Sequence, residues 1–306
     1  MPLSSRHLLG LRGMPREDIQ QILDTAVSFR EVLERPIKKV PTLQGKTVVN
    51  LFFESSTRTR ISFDLAERRL SADVVQFASD TSSVKKGETL RDTARNLEAM
   101  KIDMVVVRHS AAGVPKLLSE VLNVNVVNAG DGAHEHPTQA LLDMYTLRER
   151  FGSLEGLKVC ILGDITHSRV ARSNIHGLLT MGAKVSVCGP RTLIPMGIGQ
   201  MGVTVHHDLD DAVKDADAIN VLRIQLERME KACFPSIREY HNLYGLTAER
   251  LAKAKQSAVV LHPGPINRDV ELSADVADGD RSLILRQVLN GVAVRMAALY
   301  LIGTGS

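Results

Sequence analysis

The sequence predicts an α/β fold of two domains, each a parallel β-sheet flanked by helices, with the C-terminal helix returning to the first domain. Short β-branched runs alternate with amphipathic helical stretches along the whole length, and that order implies parallel sheets joined by right-handed crossovers. The runs are apolar throughout rather than alternately apolar and polar, as strands covered on both faces are. A length of 306 residues corresponds to about two domains at roughly 150 residues each.

The first series of candidate strands is 46–53 (KTVVNLFF), 74–78, 104–108 (MVVVR) and 124–128 (VNVVN). The second is 158–163 (KVCILG), 184–188 (KVSVC), 203–207, 218–222 and 258–262. Helical patterns such as 61–70 and 170–181 lie between them. The boundary falls near 145–157, where a helix starting at Thr138 runs out into Arg148-Glu149-Arg150-Phe151-Gly152 before a new sheet begins at Lys158. The domains are therefore expected at 1–144 and 145–285. Residues 283–302 (LILRQVLNGVAVRMAALYLI) predict a long helix interrupted at Gly291, and 286–306 is expected to brace the first domain.

Composition excludes several classes. Hydrophobic residues at 44% and charged residues at 24% are too apolar a mixture for disorder. A net charge of +3, no Trp and only 4% aromatics lack the basic, aromatic-interleaved stripe of a nucleic-acid binder. No apolar run reaches the roughly 18 residues of a membrane span. The N-terminal stretch is broken by Arg6, His7, Arg12 and Arg16, unlike a signal peptide, so a cytoplasmic protein is expected. Cys160, Cys188 and Cys233 are too few and too scattered for a disulfide scaffold or a thiolate zinc site, and the first two sit in apolar runs as core thiols would.

Ser56, Thr57, Arg58, Thr59 and Arg60 join a buried strand to a helix. Free N–H groups and the dipole at a helix start favour an anion, and the hydroxyls and Arg58 add donors. The plainer alternative is a Ser/Thr cap with arginines in solvent. Ser82-Ser83-Val84-Lys85-Lys86-Gly87 is a polar loop whose lysines are either solvated or folded over a negatively charged ligand, in its own subunit or a neighbour's. Arg108-His109 ends a strand, at the edge where parallel sheets bind ligands. Further on, Pro137 suits a first helical position, placing His136 at the helix start and Gln139 one turn in. His134 and His136 alone do not make a metal site.

Gly197 to Gly202 matches G-x-G-x-x-G on paper but leads into a strand instead of following one, so it is not a dinucleotide fingerprint. His206 and His207 point to opposite faces of a strand. In the second half, Gly163-Asp164 leads to Arg169 in the first strand–helix turn, Arg223-Ile224-Gln225 follows a strand, and His262-Pro263-Gly264-Pro265 follows the last one. Arginines at the ends of several parallel strands point to a polyanionic ligand, because an unpaired buried guanidinium is costly.

Taken in order, Ser56 to Arg60, Lys85-Lys86-Gly87-Glu88, Arg108-His109, His136-Pro137-Thr138-Gln139, Gly163-Asp164 to Arg169, Arg223-x-Gln225 and His262-Pro263-x-Pro265 resemble the aspartate/ornithine carbamoyltransferase family over nearly the whole chain. The resemblance implies transfer from carbamoyl phosphate to L-aspartate, in an early step of pyrimidine biosynthesis. It implies that Ser56, Thr57, Arg58 and Thr59 hold the phosphate. Arg108, His136 and Thr59 would polarise the carbamoyl oxygen, while Gln139 and the carbonyls of Gly264 and Pro265 would hold its NH2. Arg169, Arg223, Gln225 and Lys86 would grip aspartate.

It further implies a homotrimer in which Ser82 and Lys86 reach the neighbouring subunit's site. Regulatory chains or dihydroorotase are conceivable further partners. No metal and no organic cofactor are expected. The alternative is the ornithine branch, whose members typically carry a cysteine in His-Cys-Leu-Pro; the segment here is His262-Pro263-Gly264-Pro265, and Arg223-x-Gln225 suits a dicarboxylate. A more remote alternative is a non-catalytic assembly chain. Gly264 replaces the leucine of the best-known aspartate enzymes, at a position where only a main-chain carbonyl is used.

Overall fold

A computed structural model describes residues 3–78, 89–225 and 233–305. The elements in chain order are α1 (Arg16–Val32), β1 (Thr47–Phe52), α2 (Thr57–Arg69), β2 (Asp73–Ala78), α3 (Leu90–Ala99), β3 (Met104–His109), α4 (Val114–Val121), β4 (Asn125–Asp131) and α5 (Pro137–Phe151). There follow β5 (Lys158–Leu162), α6 (Arg169–Thr180), β6 (Lys184–Cys188), β7 (Thr204–His206), α7 (Leu209–Val213) and β8 (Ala218–Val221). The chain continues with α8 (Ile237–Tyr244), α9 (Ala248–Leu251), β9 (Val259–Leu261), α10 (Ala274–Ala277) and α11 (Ile284–Thr304). Two compact units result: Met1–Leu142 with Leu289–Ser306, and Asp143–Val288.

The first unit holds a parallel sheet of order β2-β1-β3-β4. Its central strands are buried on both faces, and on one of them Val49, Leu51, Val105, Val107 and Val126 pack with Ala94 of α3 and with Leu118 and Leu122 at α4. Each such buried leucine contributes about 2 kcal/mol of transfer free energy. Helix α11 lies against the same unit, with Tyr300 edge-on to Phe29 at 5.7 Å and Gly303 beside Leu43 and Met104. It is long and apolar enough to cross a membrane by length and composition, but most of it is buried in the protein.

The expected interruption at Gly291 does not occur, and α11 runs continuously through it. A Cβ there would meet Arg295 Nη1 at 2.7 Å and Leu142 Cδ2 at 3.0 Å, so the glycine serves close packing rather than a break.

The second unit holds a parallel sheet of order β7-β6-β5-β8-β9. Cys160, Leu162, Ile219, Val221 and Val260 form its core with Leu209, Val213, Leu246, Leu251 and Leu272. Both cysteines are core thiols as expected; burial pushes Cys160 up to about 12 and raises Cys188 as well. The 197–202 glycines bracket a short 3-10 turn before β7, with Gly197 and Gly202 at φ 77° and 90°, so no strand–turn–helix forms. Asp208 caps α7 by accepting from the Asp210 and Asp211 N–H groups.

Candidate active site

Each sheet has one point where the strand order reverses. In the first, β2 lies on one side of β1 while β3 and β4 lie on the other, so the reversal falls between β1 and β3. In the second, β6 and β7 continue on one side of β5 and β8 starts the other, so it falls between β5 and β8. Loops leaving the carboxyl ends of strands part at such points and leave room for a ligand. Ser56 to Thr59, Arg108, Arg169, Arg223 and Gln225 lie on or beside these loops, whereas His136 and Gln139 follow β4 and Gly264 and Pro265 follow β9.

Beyond β1, Ser56 occupies the N-cap position of α2 with extended backbone (φ −160°, ψ 92°), and its hydroxyl makes no capping hydrogen bond. Thr57 and Arg58 are exposed while Thr59 is buried, and the first turn contains no acidic residue. A helix start carries about half a positive charge. Arg58 and Arg60 beside it add repulsion that a bound anion would offset, and the first-turn N–H groups are the donors for that anion. Of the plain-cap alternative, the structure keeps Ser56 at the cap position and the arginines exposed, but not the cap hydrogen bond.

Arg108, near the end of β3, is 8% exposed. Its Nη1 donates to the Ala129 carbonyl and its Nη2 to Glu54 Oε1, each at 3.2 Å. Glu54 was not among the residues singled out, although its place between a strand and an arginine-rich turn was a usable signal. Its neighbour Phe53 donates its N–H to the Arg108 carbonyl at 2.9 Å, continuing the β1–β3 pairing into the loop. His109 plays a different part: its Nδ1 accepts the Ala111 N–H at 2.8 Å, and burial holds its pKa below the usual imidazole range.

The loop after β4 is organised by Asp131. Its carboxylate accepts from Asn128 Nδ2 (2.8 Å), Gly113 N–H (2.8 Å) and Glu135 N–H (3.1 Å), and faces His134 Nδ1 at 3.0 Å. Gly132 sits at φ 48°, and a Cβ would lie 2.9 Å from the Ala112 nitrogen. Glu135 accepts the Leu11 and Arg12 N–H groups at 2.7 and 3.1 Å. This frame delivers His136, 3% exposed, directly before Pro137, and its carbonyl accepts the Gln139 N–H at 3.0 Å. His134 thus pairs with Asp131, and among the described residues no group of three or more His, Cys, Asp or Glu is arranged to hold a metal.

Beyond β5, Gly163 has φ 123°, and a Cβ there would lie 3.2 Å from the Leu222 carbonyl oxygen, so the loops after β5 and β8 approach closely. Asp164 accepts the His167 N–H at 3.0 Å, and Ser168 caps α6 through the Ala171 N–H at 3.1 Å. Arg169, the first residue of that helix, is 3% exposed. Arg223 and Gln225, on the loop after β8, are half-buried. Asn267 Nδ2 donates to the Ile224 carbonyl at 3.3 Å and ties this loop to the turn after β9.

In that turn His262 Nδ1 accepts the Gly264 N–H at 2.7 Å. The imidazole proton therefore sits on Nε2, which donates to Glu271 Oε1 at 3.2 Å. Glu271 also accepts the Asn267 N–H at 2.6 Å. Gly264 has φ 62°, and the Gly264–Pro265 peptide is cis. Of the predicted residues, Ser82 and Lys86 lie outside the described residues.

Two parallel-sheet units, each with arginines beside its reversal point and with no acid in the first turn of the helix after its first strand, define a two-domain α/β protein. The chain belongs to the aspartate/ornithine carbamoyltransferase family: the carbamoyl-P binding domain matches residues 6–149 and the Asp/Orn binding domain residues 155–302. It is 61% identical to the aspartate carbamoyltransferase catalytic subunit of Gemmatimonas aurantiaca over 98% of this chain and 94% of that one. With the corresponding subunit of Moorella thermoacetica it shares 58% identity over 100% of both.

Among solved structures, the aspartate transcarbamoylase of Trypanosoma cruzi in complex with N-(phosphonacetyl)-L-aspartic acid superposes with a TM-score of 0.88 at 33% identity, over 96% of this chain and 94% of that one. The ornithine carbamoyltransferase of Pyrococcus furiosus superposes with a TM-score of 0.86 at 29% identity, over 98% of each chain.

Proposed function

We propose that the chain transfers the carbamoyl group of carbamoyl phosphate to the amine of L-aspartate, giving N-carbamoyl-L-aspartate and phosphate. The observation that carries this reading is the residue set at the second reversal point: Arg169 after β5, and Arg223 with Gln225 after β8. Two guanidinium groups on adjoining loops match the two carboxylates of aspartate, and a side-chain amine as in ornithine would meet repulsion there.

Residues 1–144 with 286–306 bind carbamoyl phosphate, and 145–285 bind aspartate. Ser56, Thr57, Arg58 and Thr59 receive the phosphate at the start of α2. Arg108, His136 and Thr59 polarise the carbamoyl oxygen, and Gln139 and the carbonyls of Gly264 and Pro265 accept from or orient its NH2. The aspartate amine attacks the carbamoyl carbon, an oxyanion develops at the donors already in place, and the bond to phosphate breaks. An oxygen of the leaving phosphate takes the amine proton. Holding both anions in register supplies the proximity term of the rate enhancement.

The active form is a homotrimer in the cytoplasm, with Ser82 and Lys86 supplied by the neighbouring subunit, and it serves pyrimidine biosynthesis with or without regulatory chains or dihydroorotase. Phosphate release from carbamoyl phosphate, measured with aspartate and then ornithine in the presence of a chelator, tests the reading. Turnover with aspartate alone is expected. Preference for ornithine would overturn the roles of Arg223 and Gln225, and silence with both would overturn the reaction.

A further inference from the structure

We infer that Gln287, oriented by Asp143, is a positioning residue for the turn after β9, an inference that rests on the reaction proposed above. Asp143 lies on α5 with its carboxylate out of contact with solvent. Three side-chain amides donate to it: Gln287 Nε2 to Oδ1 at 2.7 Å, and Asn174 Nδ2 and Asn220 Nδ2 to Oδ2 at 2.8 and 3.2 Å. The donors come from α11, α6 and β8, and each is at most 2% exposed.

A carboxylate can only accept hydrogen bonds. Asp143 therefore decides which end of the Gln287 amide faces it, and the nitrogen must. That leaves Oε1 turned the other way, where it accepts the His262 main-chain N–H at 2.9 Å. A flipped amide would set one donor against another at His262 and leave two buried groups unsatisfied, each costly. From His262 the order continues, because its ring accepts the Gly264 N–H at 2.7 Å. A run of oriented bonds thus extends from a buried carboxylate, through one amide, into the main chain of 262–264. The carbonyls of Gly264 and Pro265 follow directly, and they are the groups assigned to the carbamoyl NH2.

Such carbonyls help only within hydrogen-bond reach of a small planar group. Misplacement of a reacting partner by about 1 Å costs up to roughly a hundredfold in rate. Gln287 touches no substrate in this scheme and acts only through the turn.

Two variants of the full chain test it, Gln287→Met and Gln287→Glu, through kcat and both KM values across pH, with melting temperatures alongside. Gln287→Met keeps length and volume but neither hydrogen bond, and its kcat is expected to fall on the order of ten- to a hundredfold. Gln287→Glu places a second carboxyl against Asp143, which raises its pKa. When protonated, its O–H donates to Asp143 and its other oxygen accepts from His262, restoring the native pattern. Its kcat relative to the unmodified chain should therefore climb as pH falls, a response that a purely structural role would not produce.

Unchanged kcat and KM in Gln287→Met, whatever its melting temperature, would overturn the inference. So would a relative kcat for Gln287→Glu that is flat with pH, and this second variant decides the matter if the first fails to fold. Absence of aspartate turnover in the unmodified chain would overturn instead the reaction on which the inference rests.

Discussion

Glu67 offers a test in which sign and size both follow from one buried pair. It sits on α2 with no solvent exposure and accepts from Asn50 Nδ2 of β1 at 2.7 Å. Burial pushes its pKa from 4.5 up to about 8; Asp64 adds to the rise, while Asn50 and Arg68 pull the other way. The folded chain therefore keeps a proton that the unfolded chain releases above pH 4.5, and folding stability must fall as pH rises. The slope is about 1.4 kcal/mol per pH unit between the two pKa values, and the whole window amounts to roughly 4–5 kcal/mol.

Glu67→Gln removes the titration while keeping an acceptor for Asn50 in nearly the same shape. Urea unfolding of both chains at a series of pH values isolates the effect, because every other titrating group cancels in the difference. The variant should gain on the unmodified chain by about 1.4 kcal/mol per pH unit from pH 5 to 7 and level off above about pH 8. A difference that does not change with pH, or one that moves in favour of Glu67 as pH rises, would refute the reasoning: the carboxylate would then be ionised inside the fold.

Arg223→Lys keeps the charge but loses the planar fork. It should cut kcat/KM for aspartate on the order of ten- to a hundredfold with little change in KM for carbamoyl phosphate, as initial rates at varied substrate would show. Gly132→Ala forces a side chain into φ 48° and within 2.9 Å of the Ala112 nitrogen; it should cost about 1–3 kcal/mol in urea unfolding and lower kcat by shifting His136. Unaltered stability would count against that account of the loop. Mixing inactive Lys86→Ala and Arg58→Ala chains should restore activity in reassembled oligomers if Lys86 serves a neighbour's site, and mixtures that stay inactive would remove that assignment.

Every strand among the described residues was legible in the sequence: the central strands, buried on both faces, leave uninterrupted apolar runs, and the partly exposed edge strands β2 and β7 keep short β-branched ones. Ends were less so. Strand β4 continues to Asp131, past the expected end at 128, although Gly130 and Asp131 are poor strand formers. What holds them is the pairing of Asp131 with His109 and Glu135. Gly291 reads as a helix break by propensity, yet the helix runs through it, and Arg295 and Leu142 pack into the space that a Cβ would take.

The site divides along the same line. Ser56 to Thr59, Arg108, His136, Gln139, Arg169, Arg223 and Gln225 could be picked out because each lies at a strand end or in the loop or first helical turn that follows one, and these are local properties. Which ends adjoin is not local. Only the strand order sets β1 beside β3 and brings Glu54 to Arg108 across 54 positions, and only it sets the loops after β5 and β8 side by side. The partners of Asp143 stand 31, 77 and 144 positions away, with nothing in their own surroundings to mark them. Periodicity records how a residue relates to its neighbours along the chain, so the sequence by itself determined the elements and the residue types at their ends. A buried polar atom must find its partner wherever the fold brings one, so the pairings that aim those residues were decided by the tertiary structure alone.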